Sequence, residues 1–236
     1  MSQTEYLWTP PAVVSLPVRG QQARFPVDRI FCVGRNYHAH AVEMGAPVDK
    51  ATNRPFYFNK AASTLVESGA TVAYPPGTEN YHYEMELVIA IGKAGFRVSE
   101  AEADALIFGY AAGLDMTRRD LQLVAREKGR PWDLGKDFEE SAVCTEIVPV
   151  GSLGVLESGE ISLAVNGETK QKADLSQLIW NIREILVDLS QFYHLRPGDL
   201  IYTGTPEGVG AVKPGDRITG TVANVADIVL NIGQPE

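Results

Sequence analysis

Short apolar runs closed by glycine, proline or asparagine dominate this chain, and their spacing suits strands better than helices. Phe25 to Val33 reads as a strand entering the core, and it stops at Gly34-Arg35-Asn36-Tyr37. Phe56-Tyr57-Phe58 and Thr71-Val72-Ala73-Tyr74 are short strands followed by turns. The central stretch is Tyr83-Glu84-Met85-Glu86-Leu87-Val88-Ile89-Ala90-Ile91-Gly92, a buried strand with two carboxylates at its entrance. A further apolar run, 107–114, leads to Asp115. Strands follow around 144–150 and 161–166, the second turning at Asn166-Gly167, a type I′ hairpin signal. The end is all β, over Leu200 to Thr203, Arg217 to Val222 and Ile228 to Ile232.

Helical spacing is confined to a few places. His38 to Met44 has a helical cast and ends at Gly45-Ala46-Pro47. Ser99 with Glu102 forms a capping box that opens another helix. Thr117 to Lys128 puts Leu121, Val124 and Ala125 on one face, and Ser176 to Leu189 carries Leu178, Ile179, Ile182, Ile185, Leu186 and Leu189 at helical intervals. No repeat or linker is visible. The pattern predicts a β-rich α+β domain over residues 26–236, preceded by an arm over 1–25 and interrupted by a polar, proline-bounded loop at 46–55.

Composition narrows the function more than the fold. An apolar fraction of 44% and a charged fraction of 22% over 236 residues describe an ordinary globular protein. A net charge of −9 with no basic run argues against nucleic acid or an anionic membrane as partner. Two cysteines, Cys32 and Cys144, without a CxxC fit a reducing compartment, with both as small buried hydrophobes. The first residues lack a signal pattern and no apolar run reaches membrane-spanning length, so a cytoplasmic protein is expected.

Candidate chemistry centres on Glu84 and Glu86. Side chains alternate along a strand, so both point to one face about 7 Å apart. Like charges beside an apolar run are costly to bury unpaired, and a hard divalent cation relieves them. The alternative is two glutamates on the wet face of an edge strand. Asp115, between an apolar run and a helix, is either a helix cap or a third ligand. His40 and Glu43 share a helix face, so the carboxylate can hold one imidazole nitrogen and leave the other as a base; a surface pair reads equally from the spacing. His82 is a supporting group near the glutamates or a strand-edge residue. Arg119 and Gln122 can grip a carboxylate, and Lys136 is a lone cation in a Gly- and Pro-rich loop. Gly204 to Gly210 looks like a phosphate cradle but runs into a turn before a strand, not into a helix. Thr205 and its neighbouring amides suit a ligand carboxylate better.

Taken in order, Cys32-Val33-Gly34-Arg35-Asn36-Tyr37, His40 with Glu43, the Glu84/Glu86 strand, Leu114 to Gln122, Gly129 to Lys136 and Tyr202 to Gly210 resemble the fumarylacetoacetate hydrolase family over residues 25–233. Thr117-Arg118-Arg119-Asp120, Gly129-Arg130-Pro131-Trp132-Asp133 and the Leu200 to Val212 segment are most similar to members that cleave fumarylpyruvate and other 3-acylpyruvates. Lys60-Ala61 and His82-Tyr83 depart from the family's more usual Lys-Pro and His-His.

The resemblance implies a mixed β-sandwich or β-roll with a few peripheral helices, a homodimer, and Mg2+ or Mn2+ (with Ca2+ as a substitute in crystals). It implies Glu84, Glu86 and Asp115 as metal ligands, His40 with Glu43 as the water-activating dyad, and Lys136 as oxyanion stabiliser. Gln122, Arg119 and Thr205 would bind a small diketo acid, whose C–C bond breaks to leave a metal-held pyruvate enolate. Rival readings are an oxaloacetate decarboxylase, a hydroxymuconate-type isomerase, and a non-catalytic β-module holding Ca2+. Arg35, Tyr37, Lys60 and Arg118 are candidates to meet a second substrate carboxylate, and the 46–55 loop is a candidate lid.

Overall fold

The computed structural model describes residues 5–235, so residues 1–4 of the expected arm lie outside the described residues. Its largest sheet has eight strands. The path across it runs Phe56–Lys60, Arg29–Gly34, Asp199–Tyr202, Met85–Ile91, Ile107–Asp115, Ala142–Cys144 and Leu65–Glu67, and Val148–Pro149 also pairs with Ile107–Asp115. Asp199–Tyr202 runs parallel to Arg29–Gly34 and antiparallel to Met85–Ile91, which makes the sheet mixed. A five-stranded sheet, ordered Glu168–Asp174, Glu160–Val165, Arg217–Val222, Ala226–Pro235 and Thr71–Tyr74, packs against it. A small sheet of Thr117–Arg118, Tyr81–Tyr83 and Gly210–Val212 closes one end. The protein is therefore mostly β with a few short helices, as the punctuation of the sequence implies.

Met85–Ile91 is buried along its whole length because both faces of the large sheet are covered. Met85, Leu87, Ile89 and Ile91 point into the core between the sheets. Val88 and Ala90 point the other way, into a second core with Ile30, Cys32, Ala111 and Tyr202. Leu16, Val18, Phe25 and Val27 cover that second core, from a segment in which Ser15–Leu16 pairs with Phe25–Pro26. By alternation Glu84, Glu86 and Asp115 belong to this second face, where the apolar packing stops and a cavity begins.

Several elements end elsewhere than the periodicity suggests. The central strand is interrupted at Glu84: Tyr81–Tyr83 belongs to the small sheet and Met85–Ile91 to the large one, so the chain changes sheets at a carboxylate. The strand expected over 25–33 divides into Phe25–Pro26 and Arg29–Gly34. The helix expected over 176–189 begins only at Ile182. Upstream, Asn36 clasps the backbone: its Nδ2 donates to Trp180 O at 2.9 Å and its Oδ1 accepts from Trp180 N at 2.8 Å. Helical bonding is lost there, and Asn181 caps the shortened helix by accepting from Glu184 N at 3.0 Å.

The helix expected over 117–128 runs Arg119–Glu127, because Thr117 and Arg118 pair with Tyr81–Tyr83. Its buried residues are Arg119 and Gln122, whereas Val124 is 46% exposed. The apolar face read from the sequence is not the buried one. The demand of the cavity for polar groups outweighs local amphipathicity.

Candidate active site

The main cavity has a volume of about 480 Å³ and opens over the end of the large sheet. His40, Glu84, Glu86, Asp115, Arg119, Gln122, Lys136 and Thr205 all line it, although they span most of the sequence. Glu43, the remaining candidate, reaches it through His40, whose Nδ1 lies 3.1 Å from Glu43 Oε2.

Strand register assembles the acid cluster. Met85 pairs with Leu114 and Glu86 with Gly113, and Asp115 N donates to Glu84 O at 2.9 Å. Glu84 therefore faces Asp115 across the strand pair, and Glu86 follows two residues on. Ligand oxygens of the three residues lie within 4.8 Å of one another, and none of the three is more than 4% exposed. Gly113 has no room for a side chain: a Cβ there would sit 2.5 Å from Val88 Cγ2 and 2.6 Å from the Tyr202 ring.

Three cations balance these carboxylates. Lys136 Nζ donates to Glu84 Oε2 at 2.7 Å, Asp115 Oδ2 at 2.6 Å and Thr117 Oγ1 at 2.7 Å. Arg119 Nη2 donates to Glu84 Oε1, and its Nη1 to Gln122 Oε1 at 2.5 Å. Lys60 Nζ lies 3.0 Å from Asp115 Oδ1 but is aligned instead on the carbonyls of Met116 and Lys136. Asp115 Oδ1 is consequently buried without a hydrogen bond among the described residues.

Burial alone would raise the Glu84 carboxyl, but Lys136 and Arg119 hold it well below the usual carboxylate range. Glu86 is pushed well up by burial and by the charges of Asp115 and Glu84, and among the described residues only Gly204 N, at 2.7 Å, donates to it. Burial opposes the charge on Lys136, and Asp115 and Glu84 more than restore it. A pocket of hard oxygens with one unbonded Asp115 oxygen and an under-compensated Glu86 fits a divalent cation.

The imidazole side of the cavity is equally defined. Burial would raise the Glu43 carboxyl, yet the His40 side chain and the Gly208 N–H, 3.1 Å away, bring it below its ordinary value. An ionised Glu43 only accepts, so His40 Nδ1 is the donor of this bond, and in the neutral imidazole Nε2 is then the nitrogen with the lone pair. His82 is elsewhere engaged, with Nε2 2.8 Å from Asn80 Oδ1 and Nδ1 accepting from Arg119 Nε at 3.4 Å. Burial and Arg119 lower its pKa to about 4, so it is neutral. Both cysteines are buried, and desolvation pushes their thiols up, Cys144 to about 12.

Thr205 leaves the last strand of the large sheet and receives a hydrogen bond from Gln171 Nε2 at 2.9 Å. Gln171 also donates to Pro206 O at 2.8 Å and accepts from Met85 N at 3.0 Å, tying the glycine loop to the acid-bearing strand. That loop runs on into the strand Gly210–Val212, so it is no phosphate cradle.

Of the four candidates for a second carboxylate, Lys60 is wholly buried against Asp115, and Tyr37 and Arg118 lie off the cavity lining. Arg35 lines it. Sequence reading missed Gln171 altogether, since a glutamine in a polar hairpin carries no signal. Lys60 could have been assigned from its alternation with Phe56 and Phe58 in one strand.

The Fumarylacetoacetate (FAA) hydrolase C-terminal family profile matches residues 29–232. A fumarylpyruvate hydrolase from Ralstonia sp is 68% identical over 193 residues, covering 82% of this chain and 100% of the relative. The mitochondrial oxaloacetate tautomerase of Bos taurus is 38% identical over 207 residues, covering 88% of this chain and 92% of the relative. The crystal structure of fumarylpyruvate hydrolase from Pseudomonas aeruginosa in complex with Mn2+ and pyruvate superposes with a TM-score of 0.93 at 47% identity, covering 98% of this chain and 100% of that one. With the acid cluster at a sheet end and the profile spanning nearly the whole body, the chain belongs to the fumarylacetoacetate hydrolase family.

Proposed function

We propose that the protein hydrolyses the C–C bond of 3-acylpyruvates, with fumarylpyruvate as substrate and fumarate and pyruvate as products. The observation that carries this reading is the meeting of an oriented His40–Glu43 pair and the Glu84, Glu86, Asp115 cluster in one cavity. A decarboxylase needs only the cluster as an electron sink, and a tautomerase needs a base to move a proton but no attacking water. A structural cation site needs neither the pair nor a cavity.

Glu84, Glu86 and Asp115 would hold Mg2+ or Mn2+, and the ion supplies Lewis acidity to the pyruvyl oxygens when bound. His40 Nε2 takes a proton from water, and the water oxygen attacks the carbonyl carbon distal to the pyruvyl group. Glu43 stabilises the resulting imidazolium. The bond between that carbon and the pyruvyl methylene breaks, its electron pair passing into the pyruvate enolate. The proton that His40 took from water passes to the methylene carbon of that enolate, which gives pyruvate, and the acyl fragment leaves as fumarate. Lys136 stabilises the oxyanion. Its three N–H bonds are all engaged in this structure, and the neutral Thr117 hydroxyl is the cheapest of them to release. Arg119, Gln122 and Thr205 fix the pyruvyl end.

The reading includes a homodimer in the cytoplasm, with 26–236 as the catalytic body and 1–25 as an arm. In support, Leu7, Trp8 and Val13 are 93%, 74% and 75% exposed, apolar side chains that a second copy would cover. The test is pyruvate release from fumarylpyruvate, acetylpyruvate and oxaloacetate, with Mn2+, with Mg2+ and after EDTA. Metal-dependent release from fumarylpyruvate supports the proposal. Pyruvate release from oxaloacetate alone would replace it by the decarboxylase reading, and loss of the oxaloacetate enol absorbance without pyruvate release by the tautomerase reading.

A further inference from the structure

Among the arginines that line the cavity, Arg35 is half-buried and its side chain makes no hydrogen bond to the described residues. Arg119 is committed to Glu84 and Gln122, and Arg126 Nη1 donates to Met44 O at 2.7 Å. Arg130 lines the cavity but is exposed at its mouth. Arg35 Nε is buried and has no hydrogen-bond partner among the described residues. The residue is half-buried, and a buried N–H left without an acceptor is costly unless something else completes it.

The backbone around it is built to hold the group in place. Arg35 has φ +57°, a left-handed conformation that costs a non-glycine residue stability and concentrates at functional sites. Gly34 before it lies under the Phe56 ring, where a Cβ would come within 2.6 Å of Phe56 Cδ1. With that space free, the Arg35 guanidinium stacks over Phe56 at 5.4 Å. Phe56 packs edge-on to Trp132 at 4.9 Å, Trp132 meets Phe58 at 5.9 Å, and Lys136 Nζ sits over Phe58 at 4.9 Å. One aromatic wall therefore joins the acid-cluster end of the cavity to Arg35 at the other.

We propose that Arg35 binds the second carboxylate of the substrate, so that the site selects acylpyruvates whose acyl group ends in a carboxylate over those with a neutral acyl group. The inference rests on the acylpyruvate hydrolase reading. Phe56, Trp132 and Phe58 pack the flat unsaturated link of such a substrate, and the guanidinium supplies the fork of donors a carboxylate matches.

The experiment compares wild type, Arg35→Gln and Arg35→Lys on fumarylpyruvate and acetylpyruvate at fixed Mn2+. Arg35→Gln should lower kcat/KM for fumarylpyruvate roughly 10- to 100-fold, the range for a lost charge-assisted hydrogen bond, mostly through KM. Acetylpyruvate should stay within about twofold, and Arg35→Lys should recover part of the loss, as a point charge without the fork. Equal losses on both substrates, or none on fumarylpyruvate, overturn the assignment. Wild type inactive on both acylpyruvates overturns the hydrolase reading instead. In that event calorimetric binding of fumarate decides Arg35 alone: binding lost in Arg35→Gln upholds its role, and binding retained refutes it.

Discussion

Lys60 has a side chain fully shielded from solvent, with its ammonium held by two backbone carbonyls, the Asp115 carboxylate and the face of Phe138, so Lys60→Met tests what a buried cation does for the acid cluster. The substitution keeps most of the volume. It removes the Lys60 bonds to Met116 O and Lys136 O and the charge 3.0 Å from Asp115 Oδ1. Removing one partner of a buried pair costs roughly 3–5 kcal/mol. Asp115 keeps Lys136 on its other oxygen, so the lower end applies. At about 2–4 °C per kcal/mol for a chain of this size, metal-free Lys60→Met should melt about 6–12 °C below wild type. Thermal unfolding followed by circular dichroism in EDTA measures this directly. A shift under about 2 °C would mean that the carboxylates tolerate one fewer cation, and the charge accounting given for the site would be wrong.

Three further outcomes follow from the same geometry. His40→Ala should cut kcat by about 10²–10⁴ while Mn2+ affinity by titration stays unchanged, and a variant with unaltered kcat removes His40 as the base. Glu43 has a depressed folded-state pKa, so its charge adds stability that is present above the ordinary carboxylate pKa and lost as pH falls through the depressed value. Denaturant unfolding should therefore separate wild type from Glu43→Gln near pH 7 and bring them together in acid; a gap independent of pH contradicts the ionised pair. Gly204→Ala places a Cβ 2.7 Å from Asn36 Cβ at a φ of +102°. It should cost about 1–3 kcal/mol in urea unfolding and weaken Mn2+ binding through the Gly204–Glu86 bond, and an unchanged midpoint would argue against a fixed backbone there.

Local signals carried the sequence reading wherever the contact was local. His40 and Glu43 lie three residues apart on one helix face, and Glu84 and Glu86 two apart on one strand face, so their spacing alone predicted company. Asp115 needed register as well, and the family resemblance stood in for it. Failures came where a distant residue overrode a local preference. Asn36 unwinds the start of the expected 176–189 helix from far along the chain, and periodicity cannot show it. The helix over Arg119–Glu127 buries its polar edge because a cavity lies on that side. Gln171 holds Thr205 from a solvent-lined hairpin, and its importance appears only when the loop folds over it.

The doubly covered strand Met85–Ile91 leaves this protein little freedom to change length there. Deleting one residue between Glu84 and Ile91 would exchange the two sides, sending carboxylates into oil and Met85 and Leu87 into the reaction chamber. Folding and chemistry would fail together. That strand can therefore accept substitutions but not a change of length.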